Sequence, residues 1–164
     1  MTQEKDAVAL AAERIREAGL ARERVIEGLT ETEIREIGQR QGVRLPDLYV
    51  RFLTRMGRSA GDFLRGSDFL YPDLLPLKDY ARGLLEEDEA EFGLRDSHFV
   101  FLMHQGYQFL FFDADESEDP AVYLYLEGEG PPDRVADRFS DWLKVAVEEE
   151  IEEWAKVGKA KPAG

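Results

Sequence analysis

Residues 98–126, HFVFLMHQGYQFLFFDADESEDPAVYLYL, decide the fold. Three runs rich in Phe, Tyr, Val and Leu are separated by the turn-forming pair Gln105-Gly106 and by an acidic loop, the pattern of a β-meander. In the first run Phe99, Phe101 and Met103 alternate with Val100 and Leu102, so both faces of the strand are apolar. Such a strand has to be covered on both sides. The second run, Tyr107 to Phe112, is broken only by Gln108. The expected fold is α+β: a single domain with a small, mostly antiparallel sheet, its meander over about residues 98–126, covered by helices drawn from the rest of the chain.

Outward from the meander, the spacing of apolar residues supplies those helices. Val8, Ala11 or Ala12, and Ile15 recur at helical intervals over residues 4–18, a thin alanine-rich stripe that predicts a peripheral helix ending at Gly19. A turn through Val25 and Ile26 stops at Gly28. Thr30 followed by Glu33 is a capping box for a helix that buries Ile34 and Ile37 and ends at Gly42. Pro46, placed at the first helical position, opens the next helix, with Tyr49, Phe52, Leu53 and Met56 on one face. Residues 57–68 carry three glycines and read as a loop. Pro76 opens a helix with Leu77, Tyr80, Ala81, Leu84 and Leu85 inward, and an acidic run from Glu86 to Glu91 follows it. After Pro131-Pro132, a last helix carries Phe139, Trp142, Leu143, Ala146, Val147, Ile151 and Trp154 on one side and Glu148, Glu149, Glu152 and Glu153 on the other. The domain reading is a helical extension at 1–28, an α+β domain at 29–155 and a flexible basic tail at 156–164.

The chain of 164 residues can bury a full core, and its 43% apolar content argues against disorder. It has no cysteine, hence no disulfide and no thiolate metal site. The opening residues lack the apolar core of a secretory signal, and no window reaches the ~20 apolar residues of a membrane span. A soluble, cytoplasmic protein is expected. The net charge of −14 is unevenly spread: residues 86–155 hold 21 acidic and 4 basic side chains, a net of −17. A field of that sign repels nucleic acid and anionic lipid and attracts basic proteins.

Chemistry is sparse. The two histidines, His98 and His104, lie about 20 Å apart along one strand at ~3.3 Å per residue, too far to act together. No nucleophile elbow, phosphate-binding glycine loop or zinc-protease motif is present, so neither enzyme nor cofactor is expected. The loop DADESEDP resembles a cation site in composition only, because an EF-hand needs glycine at its sixth position and glutamate at its twelfth, where Glu118 and Leu124 stand. The basic side chains Arg51, Arg55, Arg58 and Arg65 are offset by neighbouring acids and read as ordinary surface.

Three stretches in order carry a family resemblance. LTETEIREIGQRQGVRLPDLYVRFLTRMG, with Thr30, Gly42, Leu45-Pro46 and Tyr49, resembles the opening of the SUKH superfamily of cell-wall regulators and bacterial toxin-immunity proteins. FVFLMHQGYQFLFFDADESEDPAVYLYLEG, with Pro120 and Val122 before the third strand, looks like its central strands, and Phe139-Ser140 with Leu143 resembles its closing helix. The Met56-Gly57-Arg58 turn departs from the Asn-Gly common in the family, and the helix before Gly28 is an addition to it. The resemblance implies an α+β fold, no catalysis and a protein partner. Joined to the charge, it points to an immunity-type inhibitor that occludes a basic, nuclease-like toxin domain. The expected contact residues are Asp113, Asp115, Glu116, Glu118 and Asp119 in the loop, with Glu127 and Glu129 after the third strand. The competing class is a regulatory interaction module of the same fold without a toxin partner.

Overall fold

A computed structural model describes residues 6–158 and Ala160. Helix α1 (Ala7–Glu17) starts where the Asp6 side chain accepts the Val8 N–H at 2.9 Å. Strand β1 (Ile26–Glu27) follows, then α2 (Glu31–Gln41) and α3 (Asp47–Met56). Two-residue strands β2 (Ser59–Ala60) and β3 (Ser67–Asp68) lead to α4 (Leu77–Glu87). The meander is β4 (His98–His104), β5 (Gln108–Asp113) and β6 (Val122–Leu126), extended by β7 (Asp133–Ala136) before α5 (Phe139–Lys156). All pairings in the main sheet are antiparallel, in the order β3-β4-β5-β6-β7, and β1 pairs with β2 apart from it.

The expected both-sided cover is present. On one face, Tyr49 of α3 touches the rings of Phe99, Phe101, Phe112 and Phe139, at centroid separations of 5.0 to 6.2 Å. On the other face α4 packs on β4. The Thr30–Glu33 capping box forms in full, and Gly42 ends α2 with φ of 74°, a conformation that glycine adopts without strain. Gln105 and Gly106 both have positive φ, as a type I′ hairpin turn requires. Gly28 brings the chain so close to α3 that a Cβ there would lie 1.6 Å from the Thr54 carbonyl oxygen.

The structure also revises several expectations. The turn through Val25 and Ile26 is in part strand β1, held by β2 from the glycine-rich loop. Pro46 stands just before α3 as its N-cap, not inside it. Helix α1 is not peripheral: Val8, Ala11, Ala12 and Ile15 are buried against α5 and α3, because alanine lets helix axes approach closely. In β4 the alternation breaks at a bulge between Val100 and Leu102, so Leu102 pairs with Leu110 and Met103 with Phe109. Leu102 thereby joins the face of Phe99 and Phe112, and Met103 joins that of Val100 and Phe111. In α4 Tyr80 points outward, 57% exposed, while Lys78 turns inward, 4% exposed. Edge strand β7 has no apolar alternation to announce it, since Asp133, Arg134 and Val135 are all exposed. On α5, Glu148 faces α1, where Arg14 donates to both its carboxylate oxygens at 2.8 and 2.9 Å. Most of the 156–164 tail lies outside the described residues.

Two buried polar side chains join these layers. The Gln41 amide donates to the Val100 carbonyl at 2.8 Å and its oxygen accepts the Val100 N–H at 2.9 Å. Lys78 Nζ donates to the carbonyls of Gln41 (3.1 Å) and Asp96 (2.9 Å), and burial holds its pKa below the usual lysine range. An apolar replacement at residue 41 would strand a buried donor and a buried acceptor of β4. Gln41→Leu is expected to destabilise the fold by about 3 kcal/mol, read as a lower urea midpoint at unchanged slope.

Candidate protein-binding surface

The acidic loop between β5 and β6 is a short connection in which the carboxylates of Asp113, Glu116, Glu118 and Asp119 are engaged by the fold. Asp113 Oδ1 accepts the Asp115 N–H at 3.0 Å, and its Oδ2 accepts from Arg95 at 2.6 Å. Glu116 accepts the Ala121 N–H at 3.1 Å. Glu118 sits at the start of α3, where its side chain accepts the Asp47 N–H at 2.9 Å, its carbonyl accepts that of Leu48 at 3.0 Å, and Arg44 donates to it at 2.8 Å. Arg44 foremost, and then the Asp47 N–H, hold the Glu118 carboxyl below the usual range. Asp119 performs the same service for α5, accepting from the Ser140 N–H at 2.9 Å and its hydroxyl at 2.5 Å. One loop therefore caps two helices, placing carboxylates at the positive ends of their dipoles.

Glu118 and Asp119 thus turn toward α3 and α5, whereas Asp113 and Glu116 line a cleft on the other side of the sheet. Glu127 and Glu129 are exposed in the β6–β7 turn, at the far end of β6, about 13 Å from the loop at ~3.3 Å per residue. The seven predicted acids therefore do not form one patch. What links the two ends is the cleft itself, two cavities of about 380 and 330 Å³ that meet at Phe92. Its floor is aromatic: Phe111 lies against Phe92 at 5.4 Å and Tyr123 at 5.5 Å, and Tyr125 continues the row. Its far half is bordered by Asp88, Glu89 and Glu91.

Those three acids belong to the run after α4, which sequence reasoning noted without giving it a role. The signal for one was the aromatic Phe92 directly after three acids in four residues, Asp88 to Glu91 with Ala90 between. Asp88 also ties the cleft together, accepting from the Tyr125 hydroxyl and from the Gly128 N–H at 3.0 Å. The Gly128 and Tyr125 bonds hold the Asp88 carboxyl below its usual range, while burial and then Asp88 push the Tyr125 phenol up to about 12. At the near end His98 is 6% exposed and stacks on Phe92. Its Nδ1 accepts the Arg95 N–H at 2.9 Å. His104 lies at the far end of β4, bonded to the Ser67 hydroxyl at 2.9 Å. Among the described residues, no group of three or more His, Asp or Glu side chains is arranged to hold a metal ion, and no helix is long and apolar enough to cross a membrane.

Residues 28–145 match the model of the SMI1 / KNR4 family (SUKH-1). The chain belongs to this family. The match runs from Gly28 through the sheet into the first part of α5, and α1 lies before it. The SUKH family is known for toxin immunity and cell-wall regulation and is generally a non-catalytic interaction fold, so a protein partner is implied. No curated protein matches the chain.

Two outcomes follow from the bonding around the cleft. Asp119→Ala should cost about 1 kcal/mol of stability through loss of the α5 cap, whereas Asp115→Asn should leave the urea midpoint unchanged. Burial first, and then the Arg95 charge, hold His98 below the usual imidazole range. A protonated ring could not accept the Arg95 N–H. Below about pH 6.5 the unfolded chain binds a proton that the folded chain resists, so this group lowers stability as the solution is acidified toward its depressed folded pKa. Urea midpoints compared at about pH 7.5 and 5.5 should fall more for the native protein than for His98→Asn; an equal fall would show that His98 contributes nothing to the acid sensitivity.

Proposed function

We propose that the protein is an immunity-type binding domain that captures a basic toxin domain and covers its active surface. The observation that carries this reading is the cleft on the α4 side of the sheet, with an aromatic floor and carboxylates at both ends. Lysine and arginine side chains gain from such a site twice, through the faces of Phe and Tyr rings and through the acids around them. The cation lining the cleft, Arg95, is already paired with Asp113. Glu116, Glu127 and Glu129, with Asp115, keep their place in the proposed contact, joined by Asp88, Glu89 and Glu91. Asp113, Glu118 and Asp119 contribute their charge to the field while holding the scaffold. A nuclease domain that binds phosphate through basic side chains would meet here a surface of the same sign as its substrate. Family membership supports a protein partner, and the net charge of residues 86–155 supports a basic one.

The test is association of the tagged protein with a partner recovered from the native cell, followed as sodium chloride is raised. A basic partner should associate more slowly with each increase in salt. Reversing Glu89, Glu91, Glu127 and Glu129 to lysine should slow association about tenfold at low salt. Binding indifferent to salt and to the four reversals would assign the protein to the regulatory class instead, with a near-neutral partner.

A further inference from the structure

The two halves of the cleft differ in how their charge is balanced. In the near half Arg95 donates to Asp113 at 2.6 Å, and Glu116 accepts the Ala121 N–H at 3.1 Å. The far half, a cavity of about 330 Å³, lies between Asp88, Glu89, Glu91 and Phe92 on one side and the turn at Gly128, Gly130 and Pro131 on the other. Among the described residues no basic side chain lines it. Asp88 accepts from the Tyr125 hydroxyl and the Gly128 N–H, both neutral donors, and no ion pair offsets Glu89 or Glu91 among the described residues. Arg82, the last cation of α4, is turned to Asp96 at 3.9 Å.

This half is built on the C-terminus of α4, and that terminus breaks two rules the other helices keep. The carbonyl end of a helix is its negative end, so a cation in the last turn stabilises it and a carboxylate does the reverse. Helix α1 carries Arg14 and Arg16 there, α2 Arg40, α3 Arg55 and α5 Lys156. Helix α4 carries no cation in its last turn and runs out through Glu86, Glu87, Asp88 and Glu89. The second rule concerns the backbone. Helices α1, α2 and α5 turn off through Gly19, Gly42 and Gly158, with φ of 84°, 74° and 75°. Helix α4 makes this turn through Glu89, with φ of 51°. The Glu89 N–H donates to the Glu86 carbonyl at 3.1 Å and the Ala90 N–H to that of Leu85 at 3.0 Å, as Gly19 and Leu20 do to Arg16 and Ile15 at the end of α1. In this left-handed position a β-carbon costs stability that glycine keeps. Glu89 therefore opposes the free fold twice, by its charge and by its β-carbon. Local rules broken without compensation inside the chain mark a residue held for contact outside it.

We propose that the end of α4 is the cation subsite of the cleft, where a lysine or arginine side chain of the partner protein supplies the charge that the other helices carry themselves. The charged head lies among Asp88, Glu89 and Glu91 at the negative end of the helix dipole, and the aliphatic stem lies along Phe92. This subsite presupposes the binding role proposed for the cleft and places its charge recognition in one half. The near half, where Arg95 already faces Asp113, contributes shape and aromatic surface.

The probe is the blocked peptide acetyl-Gly-Gly-Arg-Gly-Gly-amide, compared with the same peptide carrying neutral citrulline, each titrated into the isotope-labelled full chain and followed by amide NMR. The arginine peptide should move the resonances of Ala90 and Gly128 along a saturating curve and those of Asp115 and Glu116 less, and the citrulline peptide should move neither set. Glu89→Gly and Glu89→Gln should each weaken arginine-peptide binding about threefold. In the free chain Glu89→Gly should raise the urea midpoint at unchanged slope, and more than Glu89→Gln does, because it removes the β-carbon as well as the charge. Equal shifts at both ends of the cleft, undiminished binding by Glu89→Gly, or a lower midpoint for Glu89→Gly would each overturn the subsite. The wider reading of the cleft fails separately. A basic partner slowed by salt and by the fourfold reversal, with an arginine peptide that ignores the far half, would keep the cleft and remove the subsite.

Discussion

The pairing of Gln41 with Val100 is the contact on which the arrangement of layers depends. Strand β4 is apolar on both faces, so its backbone groups lie away from water and need partners inside the protein. Toward β5 the ladder supplies them. Toward the other edge β3 reaches only Met103 and His104, and Val100 lies beyond its end. The Gln41 carboxamide fills that gap by offering one donor and one acceptor, as a neighbouring strand would. Because Gln41 is the last residue of α2, the same two bonds fix that helix to the sheet. Its main-chain carbonyl, left without an intrahelical partner, then receives Lys78 from α4. Two helices distant in sequence, α2 and α4, are thereby locked to one strand by polar contacts that work only in one register.

The β5–β6 loop does comparable work at the other end of the sheet. Its length and acidity first suggest a solvated connection or an interface. Capping is the more specific role, because α3 begins at a proline and α5 at an arginine, neither of which supplies a side-chain cap. Glu118 and Asp119 provide from a distance what those positions lack. The composition of such a loop therefore says little about binding. Carboxylates that accept main-chain N–H groups are constrained in direction, and a partner reaching them would have to compete with two helix termini.

Periodicity made most of the fold legible. Helices with clear caps, such as Thr30 with Glu33, and strands of Phe, Tyr and Val emerge from local chemistry alone. What remained hidden depends on tertiary partners. A bulge at Phe101 leaves no mark in a run where every residue is apolar. Lys78 is buried because the α2 terminus happens to need a donor, and Tyr80 is exposed because its position on α4 turns away from β4. Strand β7 is held by β6 and not by its own composition. The resemblance of three ordered stretches to the SUKH superfamily agrees with the family match over residues 28–145. The cleft was half legible: the acids were visible, but only the fold shows that the turn carrying Glu127 and Glu129 meets the run after α4, where Gly128 donates to Asp88, and not the loop.

The charge of the chain divides into parts with different consequences. Acids spread over the sheet ends and α5 sum to a long-range field that brings basic proteins toward the molecule, and salt screens it within about 8 Å under physiological conditions. Such a field cannot select among basic proteins. Selection requires contacts at short range, and the aromatic cleft on the α4 side of the sheet offers them. The acids that border this cleft, Asp88, Glu89 and Glu91, repel the identical face of another molecule, so attraction of a basic surface and solubility come from one set of side chains.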